Sequence, residues 1–383
     1  MKNMKKILII APLSTLDWGS KNAGGVDSVC QMLVKYLSQS PNDDFFYRVL
    51  AFDPFSSVKY TGDVIGLSTN VEVVVAPCKE ALIGVRLPGF MTNSIRVRQQ
   101  VSNFNPDIVH AHMSNWLLGV NKKHKRISTL HSYKNICRKK SSWLNDFFYV
   151  SVFPYLCDGF IDEYTCVGTI LHTELKKHSN KPSLLVGNPI DDMYFFKRDI
   201  ENNNTIKFVT CALISKRKRI LEMIRLLYCL NKNGLHVHLD IIGPYVEVEY
   251  KKEIEKLIVD LKLGGVVNLL GKRNQFEILD VYESSDYGIF TSAQESFGLA
   301  PLEMLATGLP LISSKVGILE GKSTFFSEVG TCFIDPVDVD ESVQNIIEFI
   351  KSKPSVNVER LRIEFSIESV CNKYSEIYKR LLN

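Results

Sequence analysis

Glu295 and Glu303 stand eight positions apart in TSAQESFGLAPLEMLATGLPLISS, residues 291 to 314. Two carboxylates around a short Ser-Phe-Gly turn suit three arrangements: a solvated edge, an acid/base pair, or a clamp that accepts hydrogen bonds from hydroxyl groups. YGIFTS (287–292) reads as a strand ending at Ser292, and a helix is expected from near Gly298 to Gly308, where glycine suits a helix stop. Leu299, Leu302, Leu305 and Ala306 form its apolar stripe. Glu303 falls at the edge of that stripe, where a carboxylate is costly unless something binds it. Glu295 precedes the helix. The backbone N–H groups of Phe297, Gly298 and Leu299 lack helical partners and are expected to point at a phosphate. The segment thus offers an anion cradle between two hydroxyl acceptors, against the plainer reading of two surface glutamates on a strand-helix loop.

Elements able to position such a segment recur along the chain. KILIIAP (6–12), RVLAFD (48–53), VEVVVAP (71–77), DIVHAH (107–112) and RISTLH (126–131) are expected strands, with crossover helices at 27–39 and 93–104. Continuous Val/Ile runs, rather than strict alternation, predict strands covered on both faces and hence parallel. At LLVGNPIDDMYFFKRDIENNN a Gly-Asn-Pro turn and an Asn-rich acidic stretch reset the pattern, which marks a domain boundary. IKFVTCAL (206–213), HVHLDIIGP (236–244), VVNLLG (266–271), YGIFTS and PLISS (310–314) repeat the rhythm, with helices at 250–263 and 276–285. The expected fold is α/β, with two Rossmann-like doubly wound domains. The first takes residues 1–188 and a closing helix at 366–383; the second takes 189–365. Ligands of such sheets bind beyond the carboxyl ends of the strands.

A length of 383 residues favours two domains, and 45% hydrophobic with 23% charged residues suits a globular enzyme. The opening MKNMKKILIIAPL has a basic head but only a short apolar run and no small-residue cleavage site, so it reads as a buried first strand rather than a signal peptide. No window approaches the roughly 20 apolar residues of a membrane span. The nearest, 143–161, carries Asn145, Asp146, Pro154 and Asp158. Nine scattered cysteines, Cys137 among them, include no C-x-x-C pair, which suits reduced thiols in a cytosol better than disulfides or zinc. Residues 1–190 hold 22 Lys+Arg against 14 Asp+Glu, while the remainder holds 24 against 28. Eight of the basic residues lie in NKKHKRISTLHSYKNICRKKSSW (121–143), which has no acidic one. That patch suits anionic lipid or a pyrophosphate head group, or is simply a solvated surface.

ESFGLAPLEMLATGLPLISSKVG resembles the E-x₇-E segment of family 4 glycosyltransferases, retaining enzymes of GT-B fold. The likeness continues in order through NAGGVDSV after the first strand, PDIVHAH, STLHS, VGNPID and ALISKRKRI, covering roughly residues 5 to 317. The resemblance implies that Arg217 and Lys218 grip the diphosphate of a nucleotide sugar, although this chain has Arg219 where the family often has glycine. It further implies Glu303 on the ribose hydroxyls, Glu295 on the donor hexose, and Phe297, Gly298 and Leu299 on phosphate. Gly24 and Gly25 would allow close approach of the chain to donor phosphates and acceptor. His131 matches the family's active-site histidine and would orient the donor sugar, with His110 and His112 in support.

The expected activity is therefore retaining transfer of a hexose from a nucleotide-diphosphate sugar to an acceptor hydroxyl, by a front-face route in which the leaving phosphate helps deprotonate the acceptor. The first domain would hold the acceptor and the second the donor. No metal or other cofactor is expected, because cations and the helix start meet the charge of the leaving group. The lone Asp-x-Asp, Asp338 and Asp340, reads as a helix cap. A saccharide or lipid-linked acceptor of bacterial surface-polysaccharide synthesis is implied, together with a cytoplasmic location, peripheral contact with an anionic inner membrane face and no nucleic-acid partner. The rivals are another GT-B enzyme, such as an epimerase or phosphorylase, and a non-catalytic sugar-nucleotide-binding protein. A dinucleotide oxidoreductase is disfavoured because no G-x-G-x-x-G follows the first strand.

Overall fold

The computed structural model describes residues 4–40, 44–79, 89–136, 143–196 and 204–383. The chain divides into two compact units, one of Met1–Pro189 with Ile367–Asn383, the other of Ile190–Ser366.

In the first unit the strands are β1 (Lys5–Pro12), β2 (Phe45–Asp53), β3 (Ile65–Gly66), β4 (Val71–Pro77), β5 (Ile108–Ala111), β6 (Lys125–Leu130), β7 (Glu163–Cys166) and β8 (Ser183–Leu185). Among the described residues they form one sheet in the order β3-β4-β2-β1-β5-β6-β7-β8. Every pairing is parallel except that of β3, which runs antiparallel along β4. The apolar run of β1 is central, with Ile7, Leu8, Ile10 and Ala11 wholly buried, as a strand covered on both faces requires. The chain winds outward through β2 and β4, then returns to lay β5 on the other side of β1. The loops after β1 and β5 therefore diverge from a topological switch point. Helices Gly25–Gln39 and Gly89–Phe104 are the crossovers. The final helix, Ile367–Leu382, buries Val370, Tyr374, Ile377 and Tyr378 along one face of this unit.

Trp143–Asp158 is helical with a π turn at Phe148–Val152, flanked by helices Trp143–Phe147 and Phe153–Asp158. No helix among the described residues is long and apolar enough to cross a membrane.

The second unit carries β9 (Ile206–Cys211), β10 (Val237–Ile242), β11 (Val267–Gly271), β12 (Tyr287–Phe290), β13 (Leu311–Ser313) and β14 (Thr331–Phe333). All pair in parallel, in the order β11-β10-β9-β12-β13-β14. Its switch point lies between β9 and β12, so the loops after these two strands are neighbours. Asp338 caps helix Val339–Lys351, its Oδ1 accepting from the Glu341 N–H at 3.2 Å. The sequence reading does not anticipate β3, β7, β8 or β14.

Candidate functional site

The turn after β9 carries the basic cluster. Lys216–Lys218 forms a single 3₁₀ turn, and Arg219 follows in the left-handed conformation, φ 51° and ψ 45°, before helix Ile220–Lys232. That is the position where the sequence departs from a glycine. The backbone demands φ above zero there, and arginine meets the demand at some steric cost. The loop after β12 is stitched to this turn. Thr291 Oγ1 donates to the carbonyls of Lys218 (3.0 Å) and Arg219 (3.1 Å), and the Ala293 N–H donates to the Arg217 carbonyl at 2.8 Å.

Lys218 and Glu295 meet across these loops. Lys218 Nζ donates to Glu295 Oε1 at 2.6 Å, and Ser292 Oγ donates to the same oxygen at 2.7 Å. The two charged side chains are only 11% and 12% exposed. Lys218 Nζ also lies 4.8 Å from the centroid of the Phe290 ring. Lys218 is thus already engaged by a carboxylate, whereas Arg217 is exposed with no ion pair among the described residues.

Helix Leu299–Ala306 starts beyond Gly298, and no side chain caps it. Among the described residues no acceptor takes the N–H groups of Phe297, Gly298 or Leu299. The Phe297 side chain is buried edge-on against Phe365, centroids 6.1 Å apart, so the residue offers a ligand its backbone alone. Gly317 holds the turn in place. Its φ is 60°, Ile318 N–H donates to the Phe297 carbonyl at 2.9 Å, and a Cβ on Gly317 would fall 2.2 Å from that carbonyl oxygen. Glu303 lies one turn into the helix, its carboxyl closely surrounded by protein. Burial, reinforced by the negative charge of Asp191, lifts it to about 7. No hydrogen bond from a described side chain relieves it.

The remaining sequence-predicted residues belong to the first unit. Gly24, φ 136°, precedes helix Gly25–Gln39, which Gly25 opens. The glycine turn is held by two residues one helical turn apart that the motif reading passes over, Asp27 and Gln31. Asp27 accepts from Ser14 N–H (2.9 Å), Ser14 Oγ (2.6 Å) and Ala23 N–H (2.7 Å). Gln31 Nε2 donates to the Lys21 carbonyl at 3.0 Å, while its Oε1 accepts from Gly19 N–H at 3.1 Å. A buried Asp and Gln at i and i+4, facing a polar loop, is the signal that could have found them.

His131 follows β6 and lines a pocket of about 200 Å³ together with His112, Asn115, Tyr133, Tyr149 and Phe153. His112 Nδ1 and His131 Nε2 share a hydrogen bond at 3.0 Å. Burial holds both rings, and His110, below the ordinary histidine range, His112 to about 4, so all three are neutral at physiological pH. A neutral ring suits hydrogen bonding to a sugar rather than charge stabilisation.

The basic patch is not uniform. Arg126 is buried and donates to Asp162 at 2.7 Å from Nη2, so it serves the sheet, while Lys122, Lys123 and Lys125 are exposed. Cys137, Arg138, Lys139 and Lys140 lie outside the described residues.

Two doubly wound parallel sheets, with polar loops gathered at their switch points, define the GT-B architecture. Residues 194–362 match the family described as Glycosyl transferases group 1, a glycosyltransferase domain. Over 81 residues the chain is 36% identical to D-inositol 3-phosphate glycosyltransferase of Corynebacterium urealyticum, covering 20% of this chain and 19% of that protein. Over 167 residues it is 26% identical to the lipopolysaccharide core biosynthesis mannosyltransferase LpsB of Rhizobium meliloti, covering 42% and 46%. These matches span about a fifth and just under half of the two relatives' lengths. The structure of Anabaena HepE in complex with UDP superposes with a TM-score of 0.69 at 16% identity, over 98% of this chain and all of that one.

Proposed function

We propose that this protein is a retaining glycosyltransferase that moves a hexose from a nucleotide-diphosphate sugar to an acceptor hydroxyl. The observation that carries the reading is the Lys218–Glu295 pair beside three unengaged amides at the start of helix Leu299–Ala306. Arg217, Lys218 and the amides of Phe297, Gly298 and Leu299 receive the diphosphate. Glu295, oriented by Lys218 and Ser292, accepts hydrogen bonds from the hexose, and Glu303 accepts from the ribose. His131 orients the donor sugar, and Gly24 and Gly25 leave the backbone open to phosphate and acceptor.

Departure of the nucleoside diphosphate needs positive charge and donors fixed before the bond breaks. An ammonium on a short leash to Glu295, together with backbone dipoles, supplies them without a metal. On the front-face route the departing phosphate oxygen takes the acceptor's proton, so no carboxylate acts as nucleophile. The first unit holds the acceptor in the pocket beside His131, whose Tyr133, Tyr149 and Phe153 rings offer flat apolar faces and whose Asn115 and Ser114 offer polar edges suited to a saccharide. The UDP bound to HepE supports a nucleotide-sugar donor, and the likeness to LpsB, a lipopolysaccharide core mannosyltransferase, supports a surface-polysaccharide acceptor.

The test is slow donor hydrolysis across UDP-glucose, UDP-galactose, UDP-N-acetylglucosamine and GDP-mannose. One of them should release nucleoside diphosphate and free sugar, with the anomeric configuration retained. Failure to bind or turn over any of them defeats the enzyme reading.

A further inference from the structure

The first unit contains a row of three histidines, of which the proposed donor chemistry uses His131 alone. His110 on β5, His112 just after it and His131 after β6 stack in sequence. The ring centroids are 5.0 Å apart at 27° for the first pair and 5.3 Å at 22° for the second. His110 is bonded at both ring nitrogens: Nδ1 lies 2.6 Å from Tyr378 Oη, and Nε2 lies 2.7 Å from Thr129 Oγ1. Thr129 Oγ1 is in turn 2.6 Å from Thr165 Oγ1 on the next strand. At the other end, His112 Nδ1 meets His131 Nε2 at 3.0 Å.

One end of the row is therefore fixed and the other opens on the pocket. His110 cannot rotate without breaking two hydrogen bonds, and its face sets the plane of His112. His112 is only 3% exposed. A phenylalanine would fill the same space among Ile9, Leu33 and Val34 without the desolvation cost of an imidazole. What imidazole adds is the single proton held between its Nδ1 and His131 Nε2.

We propose that His112 is a positioning residue that holds His131 in one neutral tautomer, so that His131 Nδ1 presents a fixed donor or acceptor character to the pocket. His110, anchored by Tyr378 of the last helix, holds His112 in turn. The placement of His131 rests on the geometry alone; its consequence for catalysis rests on the glycosyltransferase reading. Between two neutral imidazoles the shared proton belongs to one ring, and the other ring must then carry its proton on the nitrogen remote from the bond. A sugar hydroxyl bound at His131 Nδ1 meets a ring whose hydrogen-bonding sense is already decided, which removes an ordering cost from the bound state.

The experiment uses the full chain labelled with ¹⁵N-histidine and two variants. His112→Phe keeps a flat ring but loses the bond; His112→Asn places an amide near the lost Nδ1. Long-range ¹H–¹⁵N correlation spectra without ligand should show one His131 tautomer in the wild type, a mixture in His112→Phe and a single tautomer again in His112→Asn. With whichever nucleotide sugar proves to be hydrolysed, His112→Phe should lower the rate at saturating donor about tenfold, the size of one lost hydrogen bond. Affinity for the free nucleoside diphosphate should stay within about twofold, because His112 touches none of the residues proposed to grip it. His112→Asn should regain most of the rate. An unchanged His131 tautomer in His112→Phe overturns the proposal. So do equal losses of rate in both variants, which would mark His112 as packing only. If the tautomers shift as expected but the wild type binds no nucleotide sugar, the positioning stands and the glycosyltransferase reading falls. Should His112→Phe fail to fold, the wild-type and His112→Asn spectra decide: a wild-type mixture of tautomers defeats the proposal.

Discussion

Lys218 Nζ sits 2.6 Å from Glu295 Oε1, although 77 residues separate the two in sequence. A cation expected to hold phosphate and a carboxylate expected to hold sugar are thus one unit before any ligand arrives. Each keeps the other's charge compensated in a nearly buried place, where removing one partner strands the second. Lys218→Met and Glu295→Gln should each destabilise the protein, and the double variant should be less destabilised than their sum. Denaturant unfolding of the four proteins should give a coupling of about 1–3 kcal/mol; zero coupling would mean that the contact has no energetic weight.

The division of labour between the two glutamates is separable by ligand. Glu303→Ala should weaken UDP or GDP binding about tenfold or more even with no hexose attached, as loss of a charged hydrogen-bond acceptor does. Glu295→Ala should spare nucleoside diphosphate affinity to within a few-fold while impairing transfer. Calorimetric titration with the diphosphate alone distinguishes them, and equal losses would refute the assignment.

Glu303 also predicts a pH dependence. Burial lifts it from an ordinary 4.5 to about 7, so between these values the folded protein retains a proton that the unfolded chain has released. This group's penalty on stability is therefore absent at low pH, grows as pH rises through that window and is constant above it. Glu303→Gln should stabilise the ligand-free protein by about 1–3 kcal/mol at pH 8 and leave it unchanged at pH 4. On the proposed role, ribose hydroxyls would donate to the ionised form, so nucleotide binding at pH 6 should release a proton. The measured heat should then differ between two buffers of unlike ionisation enthalpy; identical heats would remove Glu303 from the ribose site.

Gly317 guards the anion cradle from a distance of twenty residues in sequence. An added Cβ would collide with the Phe297 carbonyl oxygen at 2.2 Å, so Gly317→Ala must shift the turn that presents the three amides. Stability should fall by about 2–3 kcal/mol. Nucleotide affinity should fall with it; wild-type affinity in a folded Gly317→Ala would show that the turn's position is unimportant.

Arg219 gives a prediction of opposite sign. Its left-handed backbone makes Arg219→Gly neutral to stabilising, by up to about 1 kcal/mol, whereas an exposed Arg→Gly change within a helix costs about that much. Thermal unfolding decides between the two signs.

The α/β rhythm was legible because β1, β4 and β9 are dominated by apolar residues, and Glu295, Gly298 and Glu303 because they are local in sequence. The strands that went unread are short, and β7 carries polar residues whose partners lie far away. Glu163 on β7 pairs with Arg380 in the last helix, and Thr165 with Thr129. Nothing near Glu163 announces that a charge there can be buried. For the same reason the four cations of SKRKR give no sign in sequence of how Arg217 and Lys218 differ, whereas folding turns Lys218 inward to Glu295 and leaves Arg217 outside. Spacing along the chain reveals what one element presents; it is silent on what a second element brings to meet it.

The last helix, Ile367–Leu382, packs in the unit begun by the first strand, so all of Ile190–Ser366 is made before that unit can close. During synthesis the second unit has its whole sheet available while the first still lacks Tyr374 and Tyr378. The Tyr378 ring that fixes His110 is therefore made only after the whole of the second unit. A chain that stalls or is clipped within helix Ile367–Leu382 would then carry the whole second unit, with the proposed donor residues, beside a histidine row that has lost its anchor.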